Sequence, residues 1–478
     1  MPTWNDILIM LPEFYLLAAI CVLLLMDVFL RPDQRNITHW TALVIVVVTI
    51  ALVLNGHADG AKAFGGMFIA DGMAQILKTF VLLSIGLVFV YSRPYLKDRD
   101  LHLGEFYSLM LFAGLGAMLL VSAASLVMVY LGLQLLSLCS YALVAMNRDD
   151  SRSSEAAIKY FILSALAGGL LLYGMSMIYG ATGSLDLEQI HAILPQAAHP
   201  HMLVFGLIFL VAGIAFELGI APFHMWLPDV YDGAPTPVAT FISTVPKLAA
   251  VGLAYRLLEV CMGGLAVDWQ MMLAVLAALS LIIGNLVAIV QTNIKRMLAY
   301  STIAHMGFVL LGLAAATPEG YASALFYVVC YAIMVAVAFG VIMLVARTGF
   351  EAENIDDFKG LNQRSKWFAG AMGLSMFSLA GVPPLFGFYA KLLVLKSAIH
   401  AGLMWLVIIA IITAIIGLFY YLRVVKVMYF DAPEEGADQP LCTDQPMRWV
   451  LSLNGVALLV LGIFWGPLLA WCLRAFPT

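Results

Sequence analysis

The run Thr236-Pro-Val-Ala-Thr-Phe-Ile-Ser-Thr-Val-Pro246-Lys247-Leu-Ala-Ala-Val-Gly-Leu-Ala-Tyr-Arg-Leu-Leu258 is long and apolar enough to cross a bilayer, yet it places a lysine at its middle. At 1.5 Å per residue Lys247 lies about 16 Å into the run, near the centre of a hydrocarbon layer about 30 Å thick. A charge at that depth costs at least about 2.5–3.5 kcal/mol on insertion scales, which marks it as functional. Snorkelling to an interface does not suit the depth. Thr240, Ser243 and Thr244 share the helical face of Lys247, and Pro246 frees the carbonyl of Ile242. That polar face points toward protein rather than lipid.

The rest of the chain has the same character. Of 478 residues, 24 are Lys or Arg and 29 Asp or Glu; 63% are apolar and 11% charged, with a net charge of −5 and a mean hydropathy of +0.98. A soluble domain would expose large apolar patches with such a composition, and a disordered chain or a nucleic-acid binder is excluded by the same numbers. Apolar runs fall at about 8–30, 39–55, 73–92, 105–122, 124–146, 155–180, 202–222, 236–258, 268–290, 295–316, 320–346, 368–399, 402–428 and 449–472. They are continuous and too long for the alternation of a β-barrel. The expected fold is therefore an all-α integral membrane protein of about fourteen transmembrane helices.

Basic residues gather on one side: Arg31 and Arg35; Arg93, Lys97 and Arg99; Arg148 and Arg152; Lys295 and Arg296; then Arg347, Lys359, Arg364 and Lys366. The positive-inside rule makes that side cytoplasmic, and an even number of spans puts both termini opposite. Met1 to Asp6 carries no basic residue, so the first span reads as a retained helix rather than a cleaved signal. Six cysteines stand singly, without metal-ligand spacing, which argues against disulfides and against a metal or iron–sulfur site. Two features hint at an internal repeat. Ile158-Lys159-Tyr160 and Ile294-Lys295-Arg296 each open a span, and span seven (Gly219 to Pro222) and span twelve (Gly381-Val382-Pro383-Pro384) are both interrupted by Gly and Pro.

Other polar groups lie within the spans. Lys391 follows the interruption at Gly381, Pro383 and Pro384, where freed carbonyls can solvate an ammonium. Glu217 lies deep in span seven just before Pro222, and His224 would share its face if the helix survived the proline. Gln134, followed by Ser137 and Tyr141, forms an uncharged polar line in span five. Lys159, one turn after Glu155, and His305 are placed nearer the cytoplasmic ends of their spans. Glu13, Asp27 and Lys78 read as interfacial anchors, and Met372 and Met376 as packing filler. A row of lysine, histidine and carboxylate groups without a cofactor motif suits moving protons rather than making bonds.

At this point the sequence resembles a known family. Glu217-Leu-Gly-Ile-Ala-Pro-Phe-His224-Met-Trp-Leu-Pro-Asp-Val-Tyr-Asp-Gly-Ala-Pro-Thr-Pro-Val238 with Ser243-Thr-Val-Pro-Lys247 is similar to the signature of the antiporter-like membrane subunits of proton-pumping NADH:quinone oxidoreductase (respiratory complex I). Within them the wording fits the subunit N family rather than M or L. Ser154-Glu-Ala-Ala-Ile-Lys159, Asn293-Ile-Lys-Arg-Met-Leu-Ala-Tyr-Ser-Thr-Ile-Ala-His305 and Leu379-Ala-Gly-Val-Pro-Pro-Leu-Phe-Gly-Phe-Tyr-Ala-Lys391 agree, and the resemblance spans essentially the whole chain.

The resemblance implies two inverted five-helix repeats with discontinuous helices 7 and 12. Helices 1–3 would occupy 1–104, the repeats 105–260 and 261–430, and a cytoplasmic loop with helix 14 would occupy 431–478. It implies a proton pathway through Lys159, Lys247 and Lys391, driven by quinone reduction elsewhere. FMN, iron–sulfur clusters and quinone would sit in other subunits, and none in this chain. Partners would be subunit M, the small subunits K, J and A, and the lipid bilayer, with no nucleic acid. The membrane would be a bacterial inner (plasma) membrane. The family usually pairs a glutamate on helix five with a lysine on helix seven, whereas this chain has Gln134 and Glu217, so Glu217 is expected to pair with Lys247 or Lys159. A multisubunit monovalent cation/proton antiporter and a non-pumping structural subunit are the alternatives; Val230-Tyr231 with Gly233-Ala-Pro235 argues against the first, Lys247 and Lys391 against the second.

Overall fold

In a computed structural model the described residues are 3–31, 34–101, 103–433 and 441–476. Residues 434–440 of the expected cytoplasmic loop, and the first two positions of the Met1-to-Asp6 segment, lie outside them. The chain is built from helices α1 (Leu11–Phe29), α2 (Asn36–Asn55), α3 (Gly72–Lys97), α4 (Gly104–Val121), α5 (Leu126–Val144), α6 (Ser151–Thr182) and α7 (Pro200–Leu218). There follow a short α8 (Trp226–Gly233), then α9 (Thr236–Tyr255), α10 (Ala266–Val290), α11 (Ile294–Ala314) and α12 (Pro318–Val345). The last are α13 (Lys366–Ala380), α14 (Phe386–His400), α15 (Met404–Phe430), α16 (Gln445–Ile463) and α17 (Gly466–Arg474). Among the described residues thirteen helices are long and apolar enough to cross a membrane unaided. The α13–α14 pair, two helices of 15 residues, supplies the remaining span as a broken one.

Burial sorts the helices into layers. Every residue of α12 from Gly320 to Val345 is buried, as is every residue of α9 from Thr236 to Ala254. In α11 the residues other than Arg296 and Tyr300 are buried too. These three form the centre, with α9 packed on α3, α4, α7 and α12, and α14 packed on α11 and α12. Outer helices such as α6 and α15 keep apolar faces exposed, among them Phe161, Leu166, Ile411 and Ile415. Exposed apolar faces on spans of this length are what a bilayer accepts.

The all-α expectation needs one local correction. Asp59–Ala63 (β1) and Phe68–Asp71 (β2) pair as an antiparallel hairpin between α2 and α3. Gly65 and Gly66 at positive φ turn the chain, and Phe68 and Ala70 alternate into the interior. Span six also starts earlier than its apolar run, at Ser151, so Lys159 lies two turns inside α6 rather than opening it. His305 is corrected as well: it is the twelfth of the 21 residues of α11, hence central rather than near the cytoplasmic end.

Glu13 and Lys78 are not interfacial anchors. They are 3% and 5% exposed, and Lys78 Nζ lies 2.6 Å from Glu13 Oε1 and 4.7 Å from the centre of the Phe68 ring. The hairpin and the short helix Trp4–Ile9 add cover that apolar runs alone do not reveal. A further unanticipated element ends α9, where Arg256–Cys261 forms a π-helical turn. Arg256 is buried there, bridging Asp71 Oδ2 at 2.7 Å and the Val121 carbonyl at 3.0 Å.

Candidate functional site

Two helix breaks position the site, and both arise from glycine. Helix α7 stops at Leu218 because Gly219 takes the left-handed conformation, φ +72°. Its N–H donates to Phe216 O at 2.9 Å and Ile220 N–H donates to Ala215 O at 3.0 Å. Helix α13 stops at Ala380 in the same way: Gly381 has φ +87°, its N–H donates to Ser378 O at 3.0 Å, and Val382 N–H donates to Phe377 O at 3.0 Å. A proline follows each left-handed glycine three positions on, Pro222 and Pro384, with Pro383 beside the latter. Spans seven and twelve are thus both discontinuous, and their ends are built alike.

Each broken end offers carbonyls without helical partners, and a lysine takes them in both cases. Lys247, fully buried at the middle of α9, donates from Nζ to the main-chain oxygen of Glu217 at 2.9 Å. Its ammonium also lies 4.7 Å from the centre of the Trp226 ring. That ring is fixed on three sides: Nε1 donates to Phe216 O at 3.2 Å, and the faces stack on Tyr160 at 4.6 Å and Phe216 at 5.3 Å. Lys391 of α14 donates to Leu379 O at 3.0 Å and Ala380 O at 2.8 Å. It lies 5.1 Å from the centre of the Phe308 ring and lines a cavity of about 390 Å³ with Gly381 and Pro383.

The Thr240, Ser243 and Thr244 hydroxyls all donate back to carbonyls of their own helix. They therefore share the face of Lys247 without donating to it.

Helix α11, packed against both α8 and α14, carries a set of buried hydroxyl and imidazole groups. His305 is buried, with Nδ1 at 2.8 Å from Tyr327 Oη and Nε2 at 3.0 Å from Tyr421 Oη. Tyr421 continues to Ser301 at 2.5 Å. One turn before His305, Thr302 meets Tyr331 at 2.6 Å and Tyr231 at 3.4 Å. Sequence reading missed these tyrosines and Trp226. A signal existed: Tyr327 and Tyr331 are four residues apart on one helical face, and Ser301 and Thr302 precede His305 by one turn.

The remaining anticipated residues divide. Glu217 is buried and within Coulombic range of Lys247, but the contact between them uses its main-chain oxygen. The two side chains are not within ion-pair distance among the described residues. Lys159 pairs elsewhere, with Glu155 at 2.8 Å and Asp229 at 3.0 Å, and is 45% exposed. His224 does not share a face with Glu217, because the helix ends between them; its Nδ1 is buried without a hydrogen-bond partner among the described residues. Gln134 is half-buried on α5 near Gly168 of α6, two turns from Tyr141, whose hydroxyl meets Ser164.

Lysine-capped breaks and buried hydroxyl and imidazole groups, in a polytopic helical membrane chain, define the class of antiporter-like, proton-translocating membrane subunits. Residues 123–417 match the family described as NADH:quinone oxidoreductase/Mrp antiporter, TM. The chain is 52% identical over 474 residues to NADH-quinone oxidoreductase subunit N of Xanthomonas euvesicatoria pv. vesicatoria, covering 99% of this chain and 97% of the relative. Its identity to subunit N of Thioalkalivibrio sulfidiphilus is 53%, with 97% of each chain covered. A chain of respiratory complex I from Thermus thermophilus with bound aureothin superposes with a TM-score of 0.82 at 32% identity, over 96% of this chain and 98% of that one. The chain belongs to the NADH-quinone oxidoreductase subunit N family.

Proposed function

We propose that this membrane-arm subunit carries protons along the row Lys247, the Tyr231–Thr302–Tyr331 hydroxyls, His305 and Lys391, driven by quinone reduction elsewhere in the complex. The observation that carries the reading is the matched pair of breaks, each with a lysine ammonium on its terminal carbonyls. Such a lysine is solvated by dipoles of fixed position, so its hold on a proton changes when the break moves or a neighbouring charge changes. Glu217 is the acid beside Lys247, near enough to act through its field and free to exchange a proton. Lys159 acts at the cytoplasmic margin through Asp229, His224 serves the first break, and Gln134 lends a neutral polar contact.

The proposed division of the chain is the one the resemblance implies, with helices 1–3 in 1–104, two inverted repeats in 105–260 and 261–430, and the loop and last helix in 431–478. Redox groups (FMN, iron–sulfur clusters and quinone) belong to other subunits. Neighbours are subunit M and the small subunits K, J and A, in a bacterial inner membrane with both termini periplasmic. The test is Lys391→Ala in the assembled complex reconstituted into vesicles, reading protons moved per NADH oxidised. A fall in that ratio is expected; a wild-type ratio would remove Lys391 from the path.

A further inference from the structure

Sequence reading treats Lys295 as one of the cytoplasmic charges that orient the chain, and the row above does not use it. The structure buries it to 2% exposure. Its Nζ donates to Asp232 O at 2.8 Å and to Ala234 O at 3.4 Å, and lies 3.3 Å from Glu353 Oε1. Those two carbonyls stand at the end of α8, of which Gly233 is the last residue and Ala234 the cap. A cation on terminal carbonyls completes bonds that a helix leaves open. Here the cation comes from α11, in the second half of the chain.

Its neighbours make the same crossing. Arg296 Nη1 lies 3.1 Å from Asp229 Oδ1 and 3.5 Å from Asp232 Oδ2, and Asn293 Nδ2 donates to Asp232 Oδ1 at 2.8 Å. Three residues at the start of α11 thus hold the last turns of α8. At the other end of the same short helix, Trp226 lies beneath the Lys247 ammonium and against Phe216 and Tyr160. The turn from Gly219 to Met225 separates α8 from α7. Helix α8 therefore has the lysine of one break at its first turn and the second half of the chain at its last.

We propose that α8 is the element that couples the two halves of the subunit, and that Lys295 is the positioning residue tying it to α11. The inference rests on Lys247 as a proton-carrying group. A change of charge on Lys247 alters its attraction to the Trp226 face and to the Glu217 carbonyl. The resulting displacement of α8 is delivered by Lys295, Arg296 and Asn293 to α11, which carries His305 ten positions after Lys295. By linkage the same contact works in reverse, so the state of the second half biases Lys247.

The test compares Lys295→Gln, Lys295→Arg, Arg296→Gln and Lys247→Ala in the assembled complex in vesicles, at matched amounts of intact complex, reading protons moved per NADH oxidised. The proposal expects Lys295→Gln to lower the ratio as far as Lys247→Ala does, Lys295→Arg to restore it, and Arg296→Gln to lower it as well. Should Lys295→Gln reduce only the yield of intact complex, with a wild-type ratio in what assembles, Lys295 is a fold staple and the coupling role falls. If that variant does not assemble, a wild-type ratio in Arg296→Gln overturns the proposal equally. A wild-type ratio in Lys247→Ala would instead sink the underlying reading of the row, whatever the α8 variants do.

Discussion

Glu217 shows best what a residue reveals and conceals. That a carboxylate stands deep in span seven is plain from its apolar neighbours, and so is the charge of Lys247 in span eight. What the sequence does not disclose is how they meet. Lys247 takes the main-chain oxygen of Glu217 rather than its carboxylate, and a backbone carbonyl has no signature in an amino-acid sequence. The same holds at Lys391, whose two partners are carbonyls of Leu379 and Ala380. At Lys159 the partner Glu155 is legible from the i, i+4 spacing and stands at 2.8 Å, whereas the second partner, Asp229, lies 70 positions away in the sequence. If Glu217 acts on Lys247 through its field, Glu217→Gln should lower protons moved per NADH oxidised while the lysine's contact with the main-chain oxygen persists. An unchanged ratio in vesicles would show the carboxylate to be a bystander.

At the scale of elements, the spans and both breaks were legible, because apolar length and the Gly/Pro punctuation act locally. The hairpin at Asp59–Asp71 and the π-helical turn at Arg256–Cys261 were not. The turn is coupled to the distant groups that hold Arg256, namely Asp71 and the Val121 carbonyl. The breaks themselves make a sharp prediction. Gly381 has φ +87°, and a Cβ there would also crowd the Lys391 side chain. Gly381→Ala should therefore cost at least about 1–2 kcal/mol, the left-handed penalty for an L-residue, read as a lower melting temperature of the purified complex. Gly169, inside α6 with open space around its Cα, is the control: Gly169→Ala should be neutral or stabilising by up to about 1 kcal/mol. Equal melting shifts in the two variants would contradict the account of the breaks.

Over the whole molecule, charge burial follows two patterns that composition cannot separate. The lysines of the breaks lean on carbonyls and aromatic faces rather than on a carboxylate. Glu13 and Lys78 instead close on each other at 2.6 Å, joining α1 to α3. The second arrangement is a staple: removing one partner strands a buried charge at a cost of about 3–5 kcal/mol, whereas replacing both with apolar residues of similar size is close to neutral. Glu13→Leu should accordingly lower the melting temperature of the complex and Glu13→Leu/Lys78→Met should recover it; a double variant no better than the single would argue against a staple. The breaks carry the opposite claim, that their lysines are held for transport rather than for stability. The most direct measurement is Lys247→Ala in the intact complex in sealed vesicles, with proton uptake and NADH oxidation followed together. The account predicts fewer protons moved per NADH oxidised; the wild-type ratio in a fully assembled complex would contradict it.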